Sequence, residues 1–429
     1  MAQEGRELAR MKKTLLLGAG FSYDLGMPLT TELTDTFLDL FSEKTVRQVA
    51  DVLSQNDPYS AGRPINRAAI HQGMELLLEY KRAGGRNYEE LLTNLESLGD
   101  LPQKSQSDRD SYHYLFSVFY QILTETLVAY QVASYEVLYQ KSLPLFAELE
   151  SLLNDKETWV FSLNHDLYLE CLAIDLGIPV CYGDTSEIVF PINNLDLAKT
   201  FRFTTSSRKS FVRAASGWFD ARGINLVRLH GGLAEHLYSD KSILCNPPLK
   251  HSCSAQLIED FKTIESMGYF HSGQHVGGGK DRVITGPDGT LDIICRAMLT
   301  GGHKYSKTTN PKKGEEKLAL FEQVLRDTDE LTVIGYSFGD PHVNYRVLNA
   351  MVLNAEMKIR IVDPVHRPKP EFLGQFDYNL RVRGAQCRGP EWMSYVQGEK
   401  WDVEQSKALK DNEMYRNEIT RRVRRVLPR

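Results

Sequence analysis

The 429-residue chain contains no C-x-x-C pair. Its six cysteines, Cys171, Cys181, Cys245, Cys253, Cys295 and Cys387, are scattered, which removes the usual structural-zinc spacing and suits buried thiols in a reducing cytoplasm. No run of about 18 apolar residues occurs, and the start, MAQEGRELARMKK, has no apolar signal core. The expectation is a soluble, cytoplasmic protein. Positive charge is not in excess either. The 51 Lys and Arg against 56 Asp and Glu give a formal net charge of −5, so no global basic field draws the chain to nucleic acid. Internal repeats and low-complexity tracts are absent. His251, His271, His275 and His303 lack the pairing of metal ligands. What is present is ordinary for a globular protein: 42% hydrophobic and 25% charged residues, and length enough for two or three lobes.

The most informative stretch is KKTLLLGAGFSYDLGMP, Lys12 to Pro28. Thr14 to Leu17 reads as a buried strand and ends in Gly18-Ala19-Gly20, Phe21 and Ser22. A helical pattern follows Pro28, with Thr30 or Thr31 as its cap and Leu33, Phe37 and Leu40 on one face. Strand, glycine turn, helix aims backbone N–H groups at a phosphate, and glycine lets the backbone come close. The dinucleotide fingerprint G-x-G-x-x-G is incomplete, because Tyr23 stands where its third glycine belongs. No acidic residue closes a second strand about 20 residues on, where a ribose needs it. A tight strand–helix turn explains the same glycines without any ligand.

Residues 46 to 155 read as mostly helical, with apolar periodicity over Val46–Leu53, Ala68–Tyr80, Tyr88–Leu98, Tyr112–Ala133 and Leu143–Leu153. The aromatics Tyr112, Tyr114, Phe116, Phe119, Tyr120 and Tyr130 are expected in the core. Thr158–Leu163 is a second strand that runs into Asn164-His165-Asp166, then a helix over Leu167–Leu176 and a third strand at Ile178–Cys181. Phe201–Thr205 is a further candidate strand. Ile224–Leu229 ends in His230-Gly231-Gly232. Residues 239 to 312 read as loop-rich, with Gly273–Gly279 as part of a lid or an oligomer contact. After a helix over Glu315–Asp327, Glu330–Ile334 ends in GYSFGDPH, Gly335 to His342. A helix over Val343–Ala355 follows, then Met357–Val362 ending in Asp363-Pro364. Strands alternating with helices predict an α/β fold, a Rossmann-like parallel sheet with helices on both faces. In such sheets ligands sit outside the carboxyl ends of the strands.

Five tips thus fall at strand ends: GAGFS, NHD, HGG, GYSFGD and DP. Their order and content resemble the sirtuin family, through Gly18-Ala19-Gly20-Phe21-Ser22, Gly26-Met27-Pro28, Asn164-His165-Asp166, His230-Gly231 and Gly335-Tyr336-Ser337. The resemblance covers residues 12–45 and 156–365. It leaves 46–155 as an inserted helical module and 366–429 as a C-terminal extension, expected to build a homo-oligomer or dock a partner. The cysteine pairs and the substrate strand of sirtuin deacylases have no counterpart, so no zinc is expected. The G-Y-S-F-G-D-P-H form looks like the sirtuin-like domains of bacterial anti-phage defence proteins. That implies an NAD+ glycohydrolase and, as a partner, a HerA-type ATPase.

The resemblance implies catalytic roles for Asn164, His230 and Asp166. It gives the dinucleotide Gly18, Ala19, Gly20, Ser22, Pro28, Gly335, Ser337 and Asp363. A histidine titrates near working pH and can take a proton from a ribose hydroxyl or a water. An amide can donate and accept at a ribose hydroxyl. Other readings stay open. Asn164 and Asp166 can cap the following helix, His230 can be a turn histidine, and Asp340 is expected only as a helix cap. Three functions compete: an NAD+ hydrolase, a non-catalytic NAD+ or ADP-ribose sensor, and a zinc-free deacylase. The basic end ITRRVRRVLPR reads as a solvated helix whose cations suit its own C-terminal dipole.

Overall fold

The computed structural model describes residues 11–55, 65–277, 281–299, 315–377 and 379–427. His303 and the last two glycines of Gly273–Gly279 lie outside them. Seven strands form one parallel sheet: β1 (Lys13–Leu17), β2 (Glu157–Ser162), β3 (Val180–Cys181), β4 (Gly223–Arg228), β5 (Glu330–Ile334), β6 (Lys358–Val362) and β7 (Val382–Ala385). Their spatial order is β7-β6-β5-β1-β2-β4-β3, and every pairing is parallel. The first strand of the chain is therefore central. The chain leaves it toward β2 and returns on its other side with β5, which makes β1 and β5 the switch point of the sheet.

Both faces of the sheet are covered, which explains the unbroken apolar runs in its strands. Alternate residues point to opposite faces. Leu15, Leu17, Val160 and Leu226 join one core, and Leu16, Phe161, Val227 and Val333 join the other. The first core is closed by the helices between β1 and β2, chiefly Arg67–Arg82, Tyr88–Gly99 and the 29-residue Gln106–Ser134. Phe37, Phe41 and Phe119 meet there edge to face. The expected aromatic stripe is core: Tyr112, Phe116, Phe119, Tyr120 and Tyr130 are buried. The second core is closed by Glu315–Leu325 and Pro341–Leu353.

Several expectations need correction. Thr30 and Thr31 do not cap the second helix, Thr30–Asp39; they are its first residues, and Glu32 accepts from the Leu29 N–H instead. The glycine turn itself is already helical, because Ala19–Tyr23 forms a short helix directly after Gly18. The stretch 239–312 is less loop-rich than expected over its described residues, and it joins the candidate strand at Phe201–Thr205 in one sheet. That sheet is six-stranded and antiparallel, built from Ser186–Pro191, Thr200–Ser207, His236–Tyr238, Ile243–Asn246, Asp281–Thr285 and Leu291–Arg296. The parallel sheet also runs past residue 365, since β7 pairs with β6. Cys253 is exposed rather than buried. Among the described residues no helix is long and apolar enough to cross a membrane.

The last helix, Val403–Val426, folds back onto the first strand–helix unit. The Arg416 guanidinium donates to the Tyr23 and Met27 carbonyls, pairs with Glu32 and lies 3.6 Å from the Tyr23 ring centre. Arg388 joins buried Asp24 at 2.8 Å. Leu409, Ile419 and Val423 are buried. These side chains seat the helix on the chain's own core, while Val403, Met414 and Val426 of the same helix stay exposed.

Candidate functional site

The ladders of the parallel sheet continue one residue past the strands. Gly18 N–H donates to Ile334 O at 2.9 Å, Leu163 N–H to Leu17 O at 2.9 Å, and Leu229 N–H to Ser162 O at 2.9 Å. Four tips are thereby held side by side at the carboxyl ends of β5, β1, β2 and β4. A cavity of about 750 Å3 opens above them. Its floor holds Gly18, Ala19, Asn164, Asp166, His230, Gly335 and Ser337, with Pro28 at its edge. The opposite wall is the start of the helix Tyr88–Gly99, which presents Arg86, Glu89, Glu90 and Asn94.

The glycines are needed first by the backbone itself. A Cβ on Gly18 would lie 2.6 Å from Gly335 O, and one on Gly20 would lie 2.7 Å from Gly335 Cα. Gly335 has φ +65. The Gly20 N–H donates to Gly335 O at 3.0 Å. The loops after β1 and β5 are thus locked backbone to backbone. Neither Gly20 nor Ser22 lines the cavity. The donor that the short helix can still turn outward is the Ala19 amide at its first position, where no intrahelical acceptor exists.

Beneath this floor lies a buried polar chain. Asn164 Nδ2 donates to Gly18 O at 2.9 Å and to Ser22 Oγ at 3.0 Å. Ser22, 1% exposed, lies beside the Asp166 carboxylate and favours its ionised form. Asp166 Oδ1 accepts from the Tyr168 amide at 3.0 Å. The helix starts at Tyr168 with Leu167 as its N-cap, so Asp166 stands one residue before the cap position, yet its carboxylate holds the first helical amide and also lines the cavity. Burial pushes its carboxyl above the usual range, against the hydrogen bonds from Tyr168 and Ser22 and the nearby Arg228. Arg228 pairs with Glu170 in the interior and donates to Asp166 O at 2.7 Å. Both donor hydrogens of Asn164 are committed to the glycine loop, so its side-chain oxygen is the part able to meet a ligand.

His230 is 6% exposed and sits two residues past β4. Gly231, at φ +68, turns the chain sharply behind it; a Cβ there would meet Ala297 O at 2.0 Å. His230 Nε2 lies 2.8 Å from Asp340 Oδ2. Asp340 is also the expected cap, its Oδ1 accepting from His342 and Val343 amides at 2.8 and 3.2 Å. Sequence reasoning missed the His230–Asp340 pair, because 110 residues separate its members and a capping role already accounts for the aspartate. The GYSFGD loop is braced by Tyr336, whose hydroxyl donates to Asn344 Oδ1 at 3.0 Å and accepts from the Asp340 amide at 3.0 Å. Phe338 takes φ +59, a strained backbone for a non-glycine residue.

Asp363 does not reach the cavity. It turns its Oδ1 to the Val365 amide at 2.8 Å. The helical wall was also missed, since nothing in residues 86–94 marks them as ligand-facing. Among the described residues no three His, Cys, Asp or Glu side chains converge as a metal would require. His251 instead pairs with Asp260 at 3.0 Å. No protein-family model matches the chain, and no curated protein matches it significantly.

Proposed function

We propose that the chain is an NAD+ glycohydrolase, releasing nicotinamide and ADP-ribose from NAD+ and water with loss of one proton. The observation that carries this reading is the convergence of Gly18, Asn164, His230 and Gly335 on one 750 Å3 cavity at the switch point of a parallel sheet. The cavity has a volume within the range of small-molecule and cofactor sites. Its lining carries Glu89, Glu90, Asp166 and Asp340 against a single guanidinium, Arg86, among the described residues. That excess of carboxylates suits the cationic nicotinamide ring and the oxocarbenium-like centre left by its departure. Arg86 and the Ala19 amide are the groups suited to the pyrophosphate. In this reading the Asn164 oxygen accepts a ribose hydroxyl, and His230 takes the proton from that hydroxyl or from the attacking water.

A role as the NAD+-depleting effector of an anti-phage system, under control of a HerA-type ATPase, extends the same proposal. It draws on the resemblance of the GYSFGDPH segment. A second reading, a non-catalytic NAD+ or ADP-ribose sensor, draws on Asn164, whose donors hold the loop rather than a ligand. Nicotinamide release separates the two. The purified chain is incubated with NAD+, with and without His230→Ala. Release by the wild type and a loss of about 10²-fold or more in the variant is expected. Equal release by both sinks the catalytic assignment. NAD+ binding without release favours the sensor.

A further inference from the structure

Resting on the reading that the cavity cleaves NAD+, we infer that Asp340 is the positioning residue of His230, setting its tautomer and its proton affinity. A helix cap needs one acceptor, and Ser, Thr or Asn would serve. Asp340 supplies two. Oδ1 takes the helix amides of His342 and Val343, and Oδ2 takes His230 Nε2 at 2.8 Å. The Asp340 backbone is itself held by Tyr336, whose hydroxyl accepts from the Asp340 amide. Asp340 is 8% exposed and His230 6% exposed.

An ionised carboxylate only accepts hydrogen bonds. The neutral ring therefore carries its hydrogen on Nε2 and its lone pair on Nδ1. When Nδ1 takes a proton, the new charge forms beside a carboxylate that offsets it. Other charged or titratable groups face the same space. The loop after β2 brings His165, whose ring centre is 6.5 Å from that of His230, and Asp166. The helix start brings His342 and the loop before it Tyr336, while the opposite wall brings Arg86, Glu89 and Glu90. Among the described residues Asp340 is the carboxylate in hydrogen-bond contact with the ring.

Asp340→Asn has a defined consequence. An amide offers one acceptor. If its oxygen keeps the helix amides, its NH2 faces Nε2 and forces the hydrogen onto Nδ1. In a Ser–His–Asp triad the equivalent change costs about 10⁴-fold in turnover. The test combines two readouts on the full chain. Nicotinamide release from NAD+ gives kcat/KM for wild type, Asp340→Asn and Asp340→Ser, the serine keeping a helix cap without a partner for the ring. NMR titration of labelled histidine, with the His230 signal assigned by its loss in His230→Ala, gives the His230 pKa in each. The expected result is a His230 pKa lower by about one unit in both variants and a kcat/KM lower by about 10²-fold or more, with unfolding midpoints near wild type. An unmoved His230 pKa overturns the inference, as does a lowered pKa with wild-type kcat/KM in Asp340→Asn. Should the wild type release no nicotinamide, the NAD+ reading falls alone and the pKa comparison still decides the pairing.

Discussion

Gly335→Ala tests the backbone lock between the loops after β1 and β5. A Cβ on Gly335 would lie 2.4 Å from Gly20 Cα and 2.5 Å from Phe21 N. Both are backbone atoms, fixed by the bonds from Gly18 to Ile334 and from Gly20 to Gly335, so no side chain can swing aside. The left-handed backbone costs a non-glycine residue roughly 1 kcal/mol. Forcing the loops apart adds about 1–3 kcal/mol. Gly177 supplies the control. It has φ +69 and nothing within 4 Å of an added Cβ, so Gly177→Ala carries the backbone cost alone. Unfolding entropy of about 2.1 cal/mol/K per residue over 429 residues is about 0.9 kcal/mol/K. The expected fall in Tm is therefore about 2–4 °C for Gly335→Ala and about 1 °C for Gly177→Ala. Scanning fluorimetry at one fixed heating rate compares the two. Equal losses would refute the lock and return these glycines to an ordinary turn.

Asn164→Ala should destabilise by about 1–3 kcal/mol, because Gly18 O and Ser22 lose their buried donor; denaturant unfolding checks it, and an unchanged midpoint would mean the loop is anchored elsewhere. Asp24 sets a pH dependence. Burial raises its carboxyl to about 6 even against the pull of Arg388. The folded chain thus holds this proton longer than the unfolded chain, so the Asp24 contribution to stability falls as pH rises from about 3.9 to about 6 and is level above. Stability of Asp24→Asn, measured against wild type across that window, should decline less steeply; parallel curves would remove Asp24 as the cause.

The sequence made the parallel half of the fold legible for a physical reason. Strands buried on both faces are continuous apolar runs, as in TLLL and TWVFS, and each ends in a polar or glycine tip. Most of the antiparallel sheet was hidden because its strands are half-exposed and so lack continuous apolar runs. Ser186–Pro191 buries only its last two residues, and Thr200–Ser207, of which Phe201–Thr205 was anticipated, intersperses buried residues with exposed ones. β7 was hidden by its edge position, with Arg383 and Gly384 exposed. Of the residues that local signals singled out, Gly18, Asn164, His230 and Gly335 line one cavity. Ser22 lies below its floor, and Asp363 turns to its own loop. The Asp340–His230 pair and the helical wall were beyond local reading, because each depends on which distant segments the sheet order brings together.

The central place of β1 has a consequence for how the molecule is made. Lys13 pairs with Glu330, so β1 receives its second neighbour only after all the residues between them have been made. At about 5–20 residues per second, the delay is roughly 15–65 s. Throughout it, one edge of an apolar strand stays open to wrong pairing, a state that favours chaperone capture over early closure. The cavity floor shares this timing, since Gly18 and Gly20 have nothing to lock against until Gly335 is synthesised. A growing chain therefore cannot hold the assembled site until Gly335 has been made, and whatever the site does begins only after that point.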